Sequence, residues 1–200
     1  MEARIIAELH RSDVAAVVGG YINDAISHYQ RFRFWFNETS ATQNTADGTA
    51  TYAWPSDFVE LDSLTITANS TISKMTQLSP SEIDERYFNT TTKGIPYHFA
   101  NYKQQFRLYP TPNGTYTLTQ YYVKSFTALA TGSATSNVWT TEAEELIRTR
   151  AKKLLWGHFV PTSADTANIV SMLDTHEQQI FAGLQQQTVA STKTGRIKAW

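Results

Sequence analysis

No cysteine occurs anywhere in the 200 residues. No disulfide framework can staple this chain and no thiolate can serve as its nucleophile, and residence in a reducing compartment is permitted. Charge is scarce as well: only 18% of residues are Asp, Glu, Lys or Arg, and the formal net charge is −1. No global field therefore draws the protein to nucleic acid or to an anionic membrane. Low charge together with 41% hydrophobic residues also excludes a disordered chain and supplies material for a core. No apolar run reaches the length of a membrane span. The opening MEARIIAELHRS carries two acids and no long apolar stretch, so a secretory leader is not expected there. These absences suggest a soluble chain of one domain or two small ones, assembled inside a cell.

Catalytic signatures are missing too. There is no GxSxG, no phosphate-binding loop and no dinucleotide fingerprint. His10, His28, His98, His158 and His176 do not stand at ligand spacing from one another, so no metal and no cofactor are expected. Glu60 and Asp62 are the one acid pair worth weighing. On a strand they share a face at roughly 7 Å, a spacing compatible with glycoside hydrolysis. Nothing near them in sequence would split their pKa values, and two acids on a solvent-facing strand are ordinarily just solvated. Arg148, Arg150, Lys152 and Lys153 invite a phosphate-binding reading. Acids early and cations late in one helix also suit the helix dipole, with Glu144 and Arg148 paired.

What is present is local pattern. Val14, Val18, Ile22, Ala25, Tyr29 and Phe32 recur at three- and four-residue steps, which predicts a helix capped by Ser12 or Asp13 and interrupted by Gly19-Gly20. It runs into the aromatic exit Phe34-Trp35-Phe36. Residues 38–51 show no periodicity and read as a loop or mobile insertion. Trp54-Pro55 forces an extended turn, Phe58 to Thr67 reads as a strand, and Thr71 to Leu78 as its partner. Ser79-Pro80-Ser81-Glu82 is a capping box opening a short helix to about Tyr87. Tyr97 to Ala100 begins another strand.

The clearest signal follows. Phe106 and Leu108 alternate with Gln105, Arg107 and Tyr109, and Tyr116, Leu118 and Tyr122 alternate with Thr117, Thr119 and Tyr121. Between them Pro112, Asn113 and Gly114 have the chemistry of a type I turn closed by a glycine bulge, so a β-hairpin is predicted with that tip. After a small-residue connector, Thr141 and Glu144 form a second capping box, for a helix that Pro161 ends. A last helix starts near Thr162 or Ser163, with Ile169, Leu173, His176, Ile180 and Leu184 aligned. From Thr188 to Trp200 periodicity disappears.

The expected fold class is α+β. A helical bundle is built from the N-terminal and two C-terminal helices (1–37 and 140–187), with an inserted antiparallel β-rich region (38–139) and an extended C-terminal tail (188–200). In that tail Lys193, Arg196 and Lys198 alternate with Ile197 and Trp200, a composition suited to anchoring on an acidic partner surface.

The order of the pieces carries a resemblance. RFWFN, YAWPSDFVELDSLTI, LSPSEIDERYF, GIPYHFA, FRLYPTPNGTYTLTQYY and SNVWTTEAEELIRTRAKKLLW follow one another. From about Val14 to Leu184 the chain resembles the head-to-tail adaptor (connector) proteins of tailed bacteriophages, particularly short-tailed ones. The resemblance implies a non-enzymatic virion protein of the neck, assembled in the host cytoplasm. It implies a ring of its own copies, typically a dodecamer, between the portal protein and the tail or nozzle proteins. Such a ring extends the DNA channel, helps retain the genome and offers a tail attachment platform. DNA then passes without sequence-specific binding, and no membrane is involved. The family's use of a terminal arm implies that Lys193, Arg196, Ile197, Lys198 and Trp200 grip the portal or a neighbouring subunit. The tip Pro112-Asn113-Gly114 is a candidate for docking the tail. Two other classes stay open: a carbohydrate- or receptor-binding β module using the Tyr-rich hairpin, and a peptidoglycan-degrading enzyme using Glu60 and Asp62.

Overall fold

The computed structural model describes residues 1–87, 92–130, 136–159 and 163–194, with side chains described through 191. It is an α+β protein of two compact units, Met1–Asn37 with Ser125–Trp200, and Glu38–Lys124.

The first unit is helical. Helix α1 spans Glu2–Leu9, a single 3₁₀ turn spans Ser12–Val14, and α2 spans Val18–Tyr29. The helix expected from Val14 begins only at Val18 and runs unbroken through Gly19-Gly20, and α1, which precedes the expected Ser12 or Asp13 cap, was not predicted. His10 in the left-handed region ends α1, and Val14 is buried within the 3₁₀ turn. After Ser125, Phe126 and Leu129 pack against this unit's core, and Asn23 hydrogen-bonds both the N–H and the carbonyl of Leu129. Helices α4 (Val138–Glu142), α5 (Glu144–Phe159) and α6 (Ala164–Thr194) complete it. The second capping box belongs to Asn137 and Thr140, not to Thr141 and Glu144. Asn137 Oδ1 accepts from the Trp139 and Thr140 N–H groups, while Thr140 Oγ1 accepts from the Asn137 N–H. Thr141 instead donates back to the Val138 carbonyl. Pro161, read as the end of α5, lies outside the described residues.

The aromatic exit builds much of this core. Phe34 and Phe36 stack with ring centres 5.2 Å apart, and Trp139 meets both edge-on at 5.4 and 4.9 Å. Asn37, fully buried, folds the exit back by accepting from Phe34 N–H and donating to the Phe32 carbonyl. Ile5, Ile22, Ile26, Leu146, Ile147 and Leu155 fill the remainder.

The second unit holds the strands. β1 (Glu38–Asn44), β10 (Thr117–Lys124), β3 (Phe58–Ala68) and β4 (Thr71–Lys74) form one antiparallel sheet in that order. β2 (Thr51–Ala53), β8 (Gln105–Tyr109), β7 (His98–Tyr102) and β5 (Thr76–Gln77) form a second, with β5 parallel to β7. β6 (Lys93–Gly94) and β9 (Thr111–Pro112) make a short parallel pair. Helix α3 (Pro80–Tyr87) has the expected capping box: Glu82 N–H donates to Ser79 Oγ, and Ser79 N–H donates to Glu82. Between the sheets lie Trp54, Leu64, Ile66, Phe99, Phe106, Leu108 and Leu118.

Two expectations fail here. Residues 38–44 are a strand, not a loop. β1 is an edge strand whose half-covered positions are Thr39, Ala41 and Gln43, so it carries no apolar alternation to read. The hairpin 105–122 does not form either. β8 pairs with β7 and β2, whereas β10 pairs with β1 and β3. Both strands were legible, but their partners come from elsewhere. The true hairpin partner of β8 is β7, joined through Lys103 and Gln104, both with positive φ.

Candidate interaction surfaces

The segment expected as a hairpin tip crosses from one sheet to the other. Pro112 is buried in β9 beside Gly94, and its carbonyl accepts from Gly48 N–H at 2.9 Å. Thr45 Oγ1 donates to the Gly114 carbonyl and accepts from Tyr116 N–H, both at 2.8 Å. Gly114 does not occupy the left-handed region; Gly48 does, at φ 77°. The facing loop is pinned in turn by the Tyr52 hydroxyl, which accepts from Ala46 N–H and donates to the Thr49 carbonyl. Of the three residues only Asn113 is exposed, and its Oδ1 accepts from the Tyr116 hydroxyl at 2.6 Å. The Tyr-rich hairpin that a carbohydrate-binding module would use is therefore not formed.

The C-terminal boundary shifts as well. α6 continues to Thr194, past the point where a tail was expected. Thr188 is buried there: its hydroxyl donates to the Leu184 carbonyl and accepts from Trp35 N–H at 3.3 Å. The Lys193 backbone belongs to α6. Its side chain, with Arg196, Ile197, Lys198 and Trp200, lies outside the described residues.

The α5 cations are spent internally, on two sides of the helix. Lys152 reaches Glu8 on α1 at 2.8 Å, and Arg148 pairs with the same carboxylate. Burial alone would raise the Glu8 pKa, but Lys152, Arg148 and Arg4 together hold it below the ordinary range. Glu144 is taken by Arg4 at 3.3 Å rather than by Arg148. On the other side Arg150 meets Glu177 at 2.7 Å, Lys153 meets Asp174 at 2.8 Å, and Lys153 also pairs with Glu177. The Tyr29 hydroxyl donates to Glu177, and the Arg150 guanidinium lies 5.5 Å from the Tyr29 ring centre.

Sequence periodicity placed His176 on the inner stripe of α6. In the structure Glu177 is the inward residue, with its side chain 6% exposed, while His176 is half-exposed beside Glu145 at 3.4 Å. Burial pushes the Glu177 carboxyl up, but hydrogen bonds from Lys153, Tyr29 and Arg150 outweigh it and leave the pKa lowered. Burial and the Glu177 contact raise the Tyr29 phenol strongly. The signal that finds Glu177 is an eleven-step repeat: Thr166, Glu177 and Thr188 are the buried polar residues of α6.

Glu60 and Asp62 are exposed on β3, and among the described residues no three His, Asp or Glu side chains gather as a metal site. His158 Nδ1 and His98 Nδ1 instead bond the hydroxyls of Tyr21 and Tyr87, at 2.8 and 2.7 Å. The outer face of the β1–β10–β3–β4 sheet carries rows of Thr and Asn side chains. Thr42, Thr119 and Thr65 stand in one cross-strand row, and Asn44, Thr117 and Thr67 in the next.

No helix among the described residues is long and apolar enough to cross a membrane. No curated protein matches the chain. A family model described as SU10 adaptor protein matches residues 1–197. That match takes in both units and nearly the whole chain, and the protein belongs to the SU10 adaptor family.

Proposed function

We propose that the protein forms a ring of its own copies in the neck of a tailed bacteriophage, between portal and tail, where it extends the DNA channel and helps retain the genome. The observation that carries this reading is the adaptor-family match over residues 1–197, which makes the chain a structural phage protein. The disposition of charge supports it. Arg148, Arg150, Lys152 and Lys153 are engaged with Glu8, Asp174 and Glu177, so α5 offers DNA no free phosphate-binding stripe. A protein that lines a channel without gripping its cargo requires that kind of balance.

In this reading the arm beyond α6 grips the portal or a neighbouring copy through Arg196, Ile197, Lys198 and Trp200, with Lys193 at its root. The tail docks near the exposed Asn113. Ring stoichiometry follows the portal's symmetry, since a head-to-tail contact closes only at the correct rotation. The test is light scattering of the full chain with and without portal. Monomer alone and a large complex with portal are expected. A monomer that ignores portal at every salt concentration contradicts the reading.

A further inference from the structure

Helix α6 uses its two sides differently. The side turned into the helical unit carries Thr166, Glu177, Ile180, Phe181, Leu184 and Thr188. Half a turn away stand Met172, Thr175, Gln179, Ala182, Gln186 and Val189, all exposed. Their steps alternate three and four residues, the spacing at which a helix offers a seam to another packed element. Met172 is 72% exposed and Val189 50%, so the seam leaves apolar surface in water.

The seam is also free of formal charge. Between Asp165 and Ser191 the helix holds only two acids, Asp174 and Glu177, and both engage the cations of α5. Exposed helix faces ordinarily carry charged residues, whereas the centres of protein interfaces are depleted of them.

We infer that this seam is where a second copy of the chain packs in the oligomer; the inference rests on the ring reading above. Charge argues for the occupant. A nucleic acid would need cations here, and a strongly charged protein would find nothing to pair with. A second copy of this chain, with net charge −1 and only 18% charged residues, brings little charge to be desolvated against the strip. Size argues for the circumstances. From Asn168 to Val189 the strip is about 33 Å long and about 10 Å wide, so the pair buries about 700 Å² in total. That is below the roughly 1,200 Å² of a standard specific interface. Thr and Gln along it add little apolar burial. The contact therefore does not hold two free chains together, and it forms when a partner already holds the copies side by side.

The experiment places a photo-crosslinking side chain at position 186 of the full chain, in place of Gln186. Irradiation is performed on the free protein and on the protein assembled on portal, and crosslinked peptides are identified by mass. Crosslinks to the chain's own peptides are expected in the assembly and not in the free protein at micromolar concentration. In parallel, Gln179→Glu with Gln186→Glu should lower the yield of assembled ring at least tenfold while leaving the melting temperature of the free chain unchanged. Crosslinks to portal or tail protein, no crosslinks in the assembly, or a double variant that assembles like wild type would each overturn the inference while the ring reading stands. A wild-type chain that forms no ring sinks both.

Discussion

Replacing Glu177 with alanine leaves Arg150 and Lys153 facing each other with side chains only 19% exposed and no shared carboxylate. Breaking a buried ion pair from one side costs about 3 kcal/mol or more, so Glu177→Ala should lower the stability of the helical unit by that order in chemical denaturation. Tyr29→Phe, which removes one donor to an ionised group, should cost about 1.5 kcal/mol. The pH dependence has a definite sign. The folded pKa of Glu177 is depressed, so its contribution is complete above the ordinary carboxylate pKa and is lost as pH falls through the folded value. Thermal melts in that acid window should fall more steeply for wild type than for Glu177→Gln; parallel slopes would contradict the assignment. Tyr122 provides the alkaline counterpart in the β unit. Burial and its 2.8 Å bond to Asp57 push its phenol up to about 12. Its contribution is complete below the ordinary phenol value and is lost as pH rises through the folded one. Tyr122→Phe should remove that alkaline loss.

At the scale of elements, backbone conformation separates two glycines that look alike in sequence. Gly48 sits at φ 77°, and a Cβ there meets only the flexible end of Lys93. Gly114 has no positive φ, and a Cβ there makes ordinary contact with the Tyr116 ring at 3.6 Å or more. Gly48→Ala should therefore cost about 1 kcal/mol and Gly114→Ala close to nothing. Equal costs would show that the crossover is misread. What was legible follows from the strength of local signals. The strand β3, the Ser79–Glu82 capping box and the start of α6 all rest on residues that act on their own neighbours. What was not legible depends on distant partners. The turn at Lys103-Gln104 carries no Gly, Asn or Asp, so the β7–β8 hairpin has no turn signature, while Pro112-Asn113-Gly114 has one and makes no hairpin. Gln104→Gly should stabilise the unit by about 0.5 kcal/mol by relieving its left-handed backbone. The inward turn of Glu177 was hidden because its partners lie on α2 and α5, and periodicity alone favours a neutral histidine over a carboxylate on an apolar stripe. The expected arm residues from Gly195 onward have a compositional signal and no described structure.

For the whole molecule, the β-rich unit enters and leaves through neighbouring antiparallel strands, with Glu38 opposite Val123. An insertion whose ends meet in this way is suited to folding separately. We propose that residues 38–124 form an independent domain, and the excised segment should unfold cooperatively with its own midpoint. The arm prediction is narrowed by the reach of α6. Deletion from residue 188 would remove the buried Thr188 and its bond to Trp35, so the informative truncation removes 195–200 only. That truncation should leave the melting temperature of the free chain unchanged and abolish assembly on portal. The central claim, an adaptor that rings a portal, is tested most directly by electron microscopy of the full-length protein mixed with its portal. The account predicts a closed ring of this chain coaxial with the portal and absent from the protein alone. Portal particles that remain bare across salt concentrations would contradict it.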